Sequence, residues 1–148
     1  MKWASATEER AKYVAKRLRA SDQTEVRLSH GMEPSLVAIE SWANSDMCMA
    51  IVDEEGAPLG MTGLEGDLIW LLGTDGLTST RHRRMQLCTE AEEWVQHCLK
   101  QVDGPIGNYV YAKNGRSIRW LSKLGFTIHQ PEPYGPSGAL FCPFWRKG

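Results

Sequence analysis

The chain has 148 residues, of which 42% are hydrophobic and 24% are charged, the balance of an ordinary globular domain. This length predicts a single domain over residues 1–148. Lys and Arg total 17 and Asp and Glu total 18, so the formal net charge of −1 argues against a nucleic-acid partner, whose binding surfaces usually carry a basic excess.

The sequence carries no signal for a membrane, a leader or a metal site. No segment reaches the roughly 18–20 apolar residues that span a bilayer, and the start of the chain lacks the apolar stretch of a secretory leader. We therefore expect the chain to fold in cytoplasm with reduced cysteines. Cys88 and Cys98 lie ten residues apart on one predicted helix, so the two thiols point in different directions and no metal site is predicted.

The N-terminal part is predicted to hold a short strand over residues 2–6 and then two helices. Thr7 or Ser5 starts the first helix, whose apolar residues recur at helical spacing: Ala11, Val14, Ala15 and Leu18. The polar stretch that follows suggests a short strand over residues 25–28. The second helix is predicted from Pro34, a residue tolerated at the first helical position, to about Asn44.

The middle of the chain is predicted to form three antiparallel strands followed by the longest helix. The strands cover residues 47–52, 57–64 and 68–72, and acidic turns with glycine separate them. Thr78, Ser79 and Thr80 offer caps for the helix, which Gly104 and Pro105 end. The next strand, 106–112, follows a helical crossover, which implies parallel pairing with the strand before that helix.

The C-terminal part is predicted to hold one more helix and two strands. Asn114 caps the helix, and Gly125 followed by the apolar Phe126 is typical of a Schellman end. Strands are predicted over residues 127–130 and 139–145. Between them, residues 131–138 contain three prolines and two glycines and are predicted to be a loop.

The predicted order, β-α-α-β-β-β-α-β-α-β-β, resembles the GNAT acyltransferase fold, a mixed α/β fold whose mostly antiparallel central sheet would have about seven strands here. The segment from Asn114 to Phe126 is similar to the second cofactor segment of that family, with an Asn at the helix start and a Lys-x-Gly-Phe close. The resemblance implies acetyl-CoA as a possible substrate and places Asn114 beside its pantetheine arm.

Under this resemblance the first cofactor segment lies at the start of the long helix, where a glycine-rich loop usually binds pyrophosphate. The two glycines here are spaced differently, and Asp75 lies between them. A ligand of this kind would be held by Gly73, Thr78, Arg81, Arg83 and Arg84. The alternative is a satisfied helix cap followed by a solvated basic turn.

The acid and the base of an acyltransferase are also not evident. The position at which many GNAT enzymes carry an acidic tyrosine is Leu121, which cannot donate a proton. Tyr111 on the preceding strand is the candidate substitute, and the alternative is a half-buried core tyrosine. Glu65 and Asp67 are expected in a solvated turn, and His97 and His129 have no evident partner: each is expected to be structural.

A second resemblance is to internal virion protein A of short-tailed bacteriophages, a small GNAT-like family. It rests on residues 31–35, on residues 108–111 with the segment 114–121, and on the C-terminal strand that ends in Lys147 and Gly148. It implies a virion protein that acts during particle assembly in the host cytoplasm, contacts other phage proteins and requires no cofactor. The candidate contact surfaces are the loop 131–138 and five of the six tryptophans, Trp3, Trp42, Trp94, Trp120 and Trp145, for which the alternative is an ordinary core position. An acetyl-CoA-dependent N-acetyltransferase remains the second hypothesis.

Overall fold

The computed structural model describes all residues, 1–148. Five α-helices are present: α1 (Glu8–Ala15), α2 (Ala20–His30), α3 (Pro34–Asn44), α4 (Arg81–Leu99) and α5 (Gly115–Lys123). Eight strands are present: β1 (Lys2–Ser5), β2 (Met47–Val52), β3 (Pro58–Glu65), β4 (Leu68–Gly73), β5 (Ile106–Tyr111), β6 (Thr127–Ile128), β7 (Glu132–Tyr134) and β8 (Ala139–Arg146). A 3-10 turn, Asp75–Thr78, precedes α4.

All eight strands join one sheet in the order β1-β2-β3-β4-β5-β8-β6, and β7 pairs with β8 off this path. Every pairing is antiparallel except that between β4 and β5, which is parallel. The predicted meander, the parallel crossover and the mixed α/β class are confirmed. The eighth strand, β7, falls inside the predicted loop 131–138, because Tyr134 pairs with Ala139 across a short turn.

The predicted strand over residues 25–28 is wrong, because these residues lie inside helix α2. Asp22 and Val26, four residues apart, are the buried residues of this helix and turn one face inward. The helix begins without a side-chain cap and ends at Gly31, whose φ of 65° closes it in the left-handed conformation. Tertiary contacts therefore decide the secondary structure of this segment, because its own residues favour neither a helix nor a strand strongly.

The helices cover both faces of the sheet. Neighbouring buried residues of β4 belong to different clusters: Ile69 packs with α4 and α5, whereas Leu72 packs with α1, α2 and α3. The cluster on the α4 and α5 face includes Trp94, Val95, Cys98, Ile106, Val110, Leu121, Leu124, Phe126 and Phe144. Alternation along a strand thus sends successive side chains into opposite layers.

The ends of α5 match the prediction. The Asn114 side chain accepts a hydrogen bond from the Ser117 N–H at 3.3 Å, and Gly125 adopts φ 82°. The Phe126 N–H then donates to the Leu121 carbonyl at 3.1 Å, the closing bond of a Schellman motif. The long helix α4 ends at Leu99, earlier than predicted. No helix is long and apolar enough to cross a membrane.

Candidate functional site between strands β4 and β5

Strands β4 and β5 pair only where they begin. Leu68 lies opposite Gly107, whose N–H donates to the Asp67 carbonyl at 3.0 Å. One residue further along β5, the Asn108 side chain takes the place of a backbone group and donates to the Ile69 carbonyl at 3.0 Å. A crevice therefore opens towards the carboxyl ends of the two strands, a common ligand position in parallel sheets.

Two carboxylates of helix α2 bridge this crevice. Asp22 accepts the backbone N–H of Gly73, the last residue of β4, at 2.8 Å. Glu25 accepts the backbone N–H of Tyr111, the last residue of β5, at 2.6 Å. Because these acids lie three residues apart, they share one face of the helix and reach both strand ends together.

Arg19 completes the connection on the β4 side. Its Nε donates to Asp22 at 2.8 Å, its Nη1 lies 3.5 Å from the Thr78 hydroxyl, and its backbone N–H donates to the Gly73 carbonyl at 2.9 Å. Burial raises the pKa of Asp22, and the Arg19 guanidinium counteracts that rise. This buried pair ties the start of α2 to the turn before α4.

Glu25 differs from Asp22 because no cation pairs with it. Burial raises the pKa of Glu25 to about 7, although the Tyr111 N–H lowers it. Its Oε1 is bonded, whereas Oε2 makes no hydrogen bond and is not sealed from solvent. A carboxyl group that titrates near neutral pH and keeps one free oxygen has the chemistry of a general base.

The arginines predicted to hold phosphate bend back onto the preceding turn. Arg83 donates to the Gly76 carbonyl at 3.0 Å, and Arg84 donates to the Thr78 carbonyl at 3.0 Å. The Thr80 side chain caps α4 by accepting the Arg83 N–H at 3.1 Å. Arg81 is exposed at the first position of the helix. Gly73 lies on the other side of the turn, where its N–H is already bonded to Asp22.

Trp120 lies on helix α5, inside the second of the two segments that the resemblance assigns to the cofactor. Its ring packs against the apolar cluster under the 3-10 turn and α4, made of Ile51, Leu59, Leu77 and Leu87. The neighbouring Leu121 is 9% exposed and belongs to the core. A large apolar ring therefore fills space between α5, which begins after Asn114, and the turn before α4.

The Tyr111 ring faces an aromatic cluster. It lies 5.4 Å from the Phe141 ring, and Tyr109 stacks on Tyr134 at 4.0 Å. Glu65, Asp67, His97 and His129 are all exposed. The structure thus brings the backbone N–H of Tyr111 against Glu25, whereas Arg83 and Arg84 contact the turn before α4.

Sequence reasoning missed Arg19, Asp22 and Glu25. The available signal was the spacing of three residues between Arg19 and Asp22 and again between Asp22 and Glu25, which makes the members of each pair neighbours on a helix. Reading residues 25–28 as a strand hid that spacing.

The sequence profile of the family described as "Bacteriophage T7, probable scaffold protein Gp13" matches residues 47–132, more than half of the chain. The chain belongs to this phage Gp13 family. The match covers the crevice strands, the turn before α4 and helix α5, whereas α2 with its two carboxylates precedes it. No curated protein matches the sequence of this Gp13-family chain.

Solved structures confirm the GNAT-like fold of this member of the Gp13 family. Ard1 from Thermoplasma volcanium is similar with a TM-score of 0.65 at 18% identity, over 98% of this chain and 95% of that one. A variant of the spermidine N-acetyltransferase SpeG from Vibrio cholerae is similar with a TM-score of 0.67 at 6% identity, over 98% and 92%. At these identities the likeness concerns the fold alone.

Proposed function

We propose that this Gp13-family protein takes part in phage particle assembly through contacts with other virion proteins, and that its crevice does not serve acyl transfer. The family match supports the assembly role, and one observation argues against acyl transfer: the backbone N–H groups of Gly73 and Tyr111, at the ends of β4 and β5, donate to carboxylates of the protein's own helix α2. The outer surface of this GNAT-like fold stays available to partner proteins, whereas internal hydrogen bonds close its crevice to a ligand.

Hydrogen bonds to charged groups contribute about 1.5–3 kcal/mol each, and a buried donor or acceptor left unpaired costs about 1–3 kcal/mol. A thioester entering between Gly73 and Tyr111 would have to displace Asp22 and Glu25 from these amides. Displacing Asp22 would also leave the Arg19 guanidinium without its carboxylate, in a site where Asp22 is only 5% exposed. The crevice is therefore poorly suited to acetyl-CoA.

Two further features support the same conclusion. Trp120 fills the space between α5 and the turn before α4. The Arg83 and Arg84 side chains donate hydrogen bonds to the carbonyls of Gly76 and Thr78, so only their remaining N–H groups are available to a pyrophosphate. We propose the host cytoplasm during assembly, and then the virion of a short-tailed phage, as the places where the protein acts.

Complementation of a phage that lacks this gene tests the proposal. Particles made without the protein are expected to differ in protein composition or infectivity, and the wild-type gene should restore them. A Tyr111→Phe gene should restore them equally, because assembly needs no proton donor at that hydroxyl. Normal, fully infectious particles in the absence of the protein would contradict the proposal, as would failure of a folded Tyr111→Phe variant.

The second candidate function is acetyl-CoA-dependent N-acetyl transfer, and Glu25 is the observation that favours it. Its free Oε2 could take the proton of an attacking amine, while Tyr111 or water protonates the departing thiolate. The residues that would hold acetyl-CoA are Gly73, Thr78, Arg81, Arg83, Arg84 and Asn114. Calorimetry decides between the two candidates: the absence of heat and of a thermal shift at millimolar acetyl-CoA eliminates the enzyme.

A further inference from the structure

A group of exposed cations on helices α4 and α5 has no acidic partner in the chain. Its members, here called the basic surface, make no ion pair: Arg81, Arg84, Arg116, Arg119 and Lys123. Every charged residue of α5 is basic, and neither helix carries an acidic residue in its first turn. Positive charge is therefore concentrated here, although the whole chain has a net charge of −1.

The two helices place these cations side by side. Helices α4 and α5 follow the parallel strands β4 and β5 and pack on the same face of the sheet, so they run in the same direction. Lys123 of α5 lines the same groove as Cys88 of α4. Arg84 lies one helical turn before Cys88, and Arg119 lies one turn before Lys123. Two rows of cations therefore flank one groove between the helices.

These positions are unfavourable for the stability of the helices. Arg81 is the first residue of α4 and Arg116 is the second residue of α5, where the helix dipole favours negative charge. Helix α1, by contrast, has two acidic residues in its first turn. Arg119 is also repelled by Arg116, three residues before it, and by Lys123, four residues after it. Because the fold gains nothing from this arrangement, the cations indicate an anionic partner.

The basic surface extends beyond the residues that would hold acetyl-CoA. Those residues lie around the start of α4 and at Asn114, the cap of α5. Lys123 follows Asn114 by nine residues, about 13 Å along the helix axis, and the groove that it lines also contains the apolar Leu124. The row of cations on α5 is therefore longer than a pyrophosphate group.

The charges that border the basic surface favour a protein over a nucleic acid. Glu92 lies in the same groove as Lys123, and Glu54 lies 3.8 Å from Arg83 at the start of α4. Duplex DNA carries one negative charge per about 1.7 Å of its axis, so it would continue past the cations onto these carboxylates. A short acidic segment of a protein ends before them. The net charge of −1 also provides no long-range attraction for a polyanion.

We propose that the basic surface is a docking site for an acidic segment of a partner protein, whose Asp and Glu carboxylates pair with the five cations across the groove. A guanidinium binds a carboxylate through two parallel hydrogen bonds, so four arginines suit this partner. Cations that recur about once per helical turn match carboxylates that recur at the same interval on an acidic helix. This inference rests on the proposed assembly function and names the surface that it uses.

Binding of a helix-forming acidic peptide to the full-length protein tests the docking site. The peptide consists of three repeats of Glu-Ala-Ala-Glu, and its matched control carries Gln in place of every Glu. Fluorescence anisotropy should detect the acidic peptide at submillimolar concentration in low salt. Its affinity should fall at least fivefold when NaCl is raised from about 50 to 200 mM, because salt screens exposed ion pairs. The Gln peptide should not bind.

Two double variants that each remove two positive charges locate the binding. Arg119→Gln with Lys123→Gln changes the basic surface, and it should weaken the acidic peptide at least fivefold. The control, Lys16→Gln with Lys100→Gln, changes exposed cations at the ends of α1 and α4 and should bind within twofold of the wild type. The first variant should melt no lower than the wild type, since it relieves repulsion between like charges. A lower melting temperature would assign these cations to the fold and overturn the proposal.

Further outcomes of the binding experiment would overturn the proposal. Absence of binding by the acidic peptide, or equal binding of both peptides, would eliminate the docking site. A DNA duplex of sixteen base pairs that binds more tightly than the peptide, and loses affinity in Arg119→Gln with Lys123→Gln, would assign the surface to nucleic acid. Tighter binding of acetyl-CoA, with the same loss, would assign it to the coenzyme.

Particle complementation separates this inference from the assembly proposal. A gene with the charge reversals Arg119→Glu and Lys123→Glu should fail to restore the particles, although the purified variant melts like the wild type. Full restoration by this gene, in a phage that requires the wild-type gene, refutes the docking site alone. Normal particles without the gene refute the assembly role.

Discussion

The carboxylate of Glu25 lies 2.6 Å from the backbone nitrogen of Tyr111 and holds helix α2 against the end of β5. The pKa of Glu25 is raised to about 7 from an ordinary 4.5, since burial disfavours its charged form. The folded protein therefore retains a proton on Glu25 over a pH range in which the unfolded chain has released it.

The first prediction concerns pH and the variant Glu25→Gln. Between about pH 4.5 and pH 7 the folded state binds more protons than the unfolded state, so Glu25 lowers the free energy of unfolding as pH rises, by up to roughly 3 kcal/mol. The amide introduced by Glu25→Gln has no titratable group and still offers an oxygen to the Tyr111 N–H. The variant should match the wild type at pH 4 and exceed its stability at pH 8, as measured by urea unfolding.

A matched control is Glu93→Gln on α4, which removes an exposed carboxylate without an ion pair. Its stability difference from the wild type should change little between pH 4 and pH 8. A Glu25→Gln difference that is equally flat across this range would contradict the burial of Glu25.

The second prediction compares two aspartates that each accept a glycine N–H at 2.8 Å. Asp22 is buried and paired with Arg19, whereas Asp46 is exposed and accepts the Gly66 N–H. Asp22→Asn removes the charge opposite a partly buried guanidinium, and we expect a loss of about 3 kcal/mol in the free energy of unfolding. Asp46→Asn should cost under about 1 kcal/mol. Equal losses in denaturant titrations would argue against a structural role for the Asp22 and Arg19 pair.

The third prediction concerns two nearby glycines. A Cβ at Gly107 would collide with the Phe144 carbonyl of the neighbouring strand and with the Trp145 ring, whereas a Cβ at Gly104 meets nothing within 4 Å. Backbone atoms of β8 cannot move aside cheaply, so Gly107→Ala should destabilise the protein by at least about 2 kcal/mol or prevent folding. Gly104→Ala should be within about 0.5 kcal/mol of the wild type. Thermal melts of both variants measure these stability changes. An unchanged melting temperature for Gly107→Ala would contradict the close approach of β5 and β8 at this position.

The fourth prediction concerns Arg146, which joins three elements. Its guanidinium donates two hydrogen bonds of 2.9 Å to Glu92 on α4 and one to the Leu124 carbonyl at the end of α5. The Arg146 hydrogen bonds lower the pKa of Glu92 to about 2. Lysine keeps the charge but cannot make this planar fork, so Arg146→Lys should lower stability by about 1–2 kcal/mol. Chemical denaturation measures the loss, and Lys147→Arg next to it is the control that should change nothing.

Periodicity and capping predicted most of the fold. The spacing of Ile118 and Leu121, the cap at Asn114 and the closing Gly125 all act within one helix, so a single sequence contains them. The hydrogen bonds that hold α2 against the strand ends were not predictable, because Glu25 and Tyr111 are 86 positions apart in the sequence. Strand β7 depends in the same way on β8, which supplies every partner of β7.

The tryptophan surplus was visible in the composition, but its grouping was not. Trp3, Trp94 and Trp120 come from three distant segments, and only the packing of β1, α4 and α5 places their rings around one cavity. No local pattern contains that information, and no pattern distinguishes them from Trp42, which finds the Ala6 carbonyl.

The single pairing of Leu68 with Gly107 divides the sheet by order of synthesis. Strands β1 to β4 find all their other partners within residues 2–73, and strands β5 to β8 find theirs within residues 106–146. The first four strands therefore make all their other pairings among themselves, and the hydrogen bond from Gly73 to Asp22 needs no later residue. The hydrogen bond between Glu25 and Tyr111 can form only after β5 has been synthesised, so it joins helix α2 to the part of the sheet that is made later.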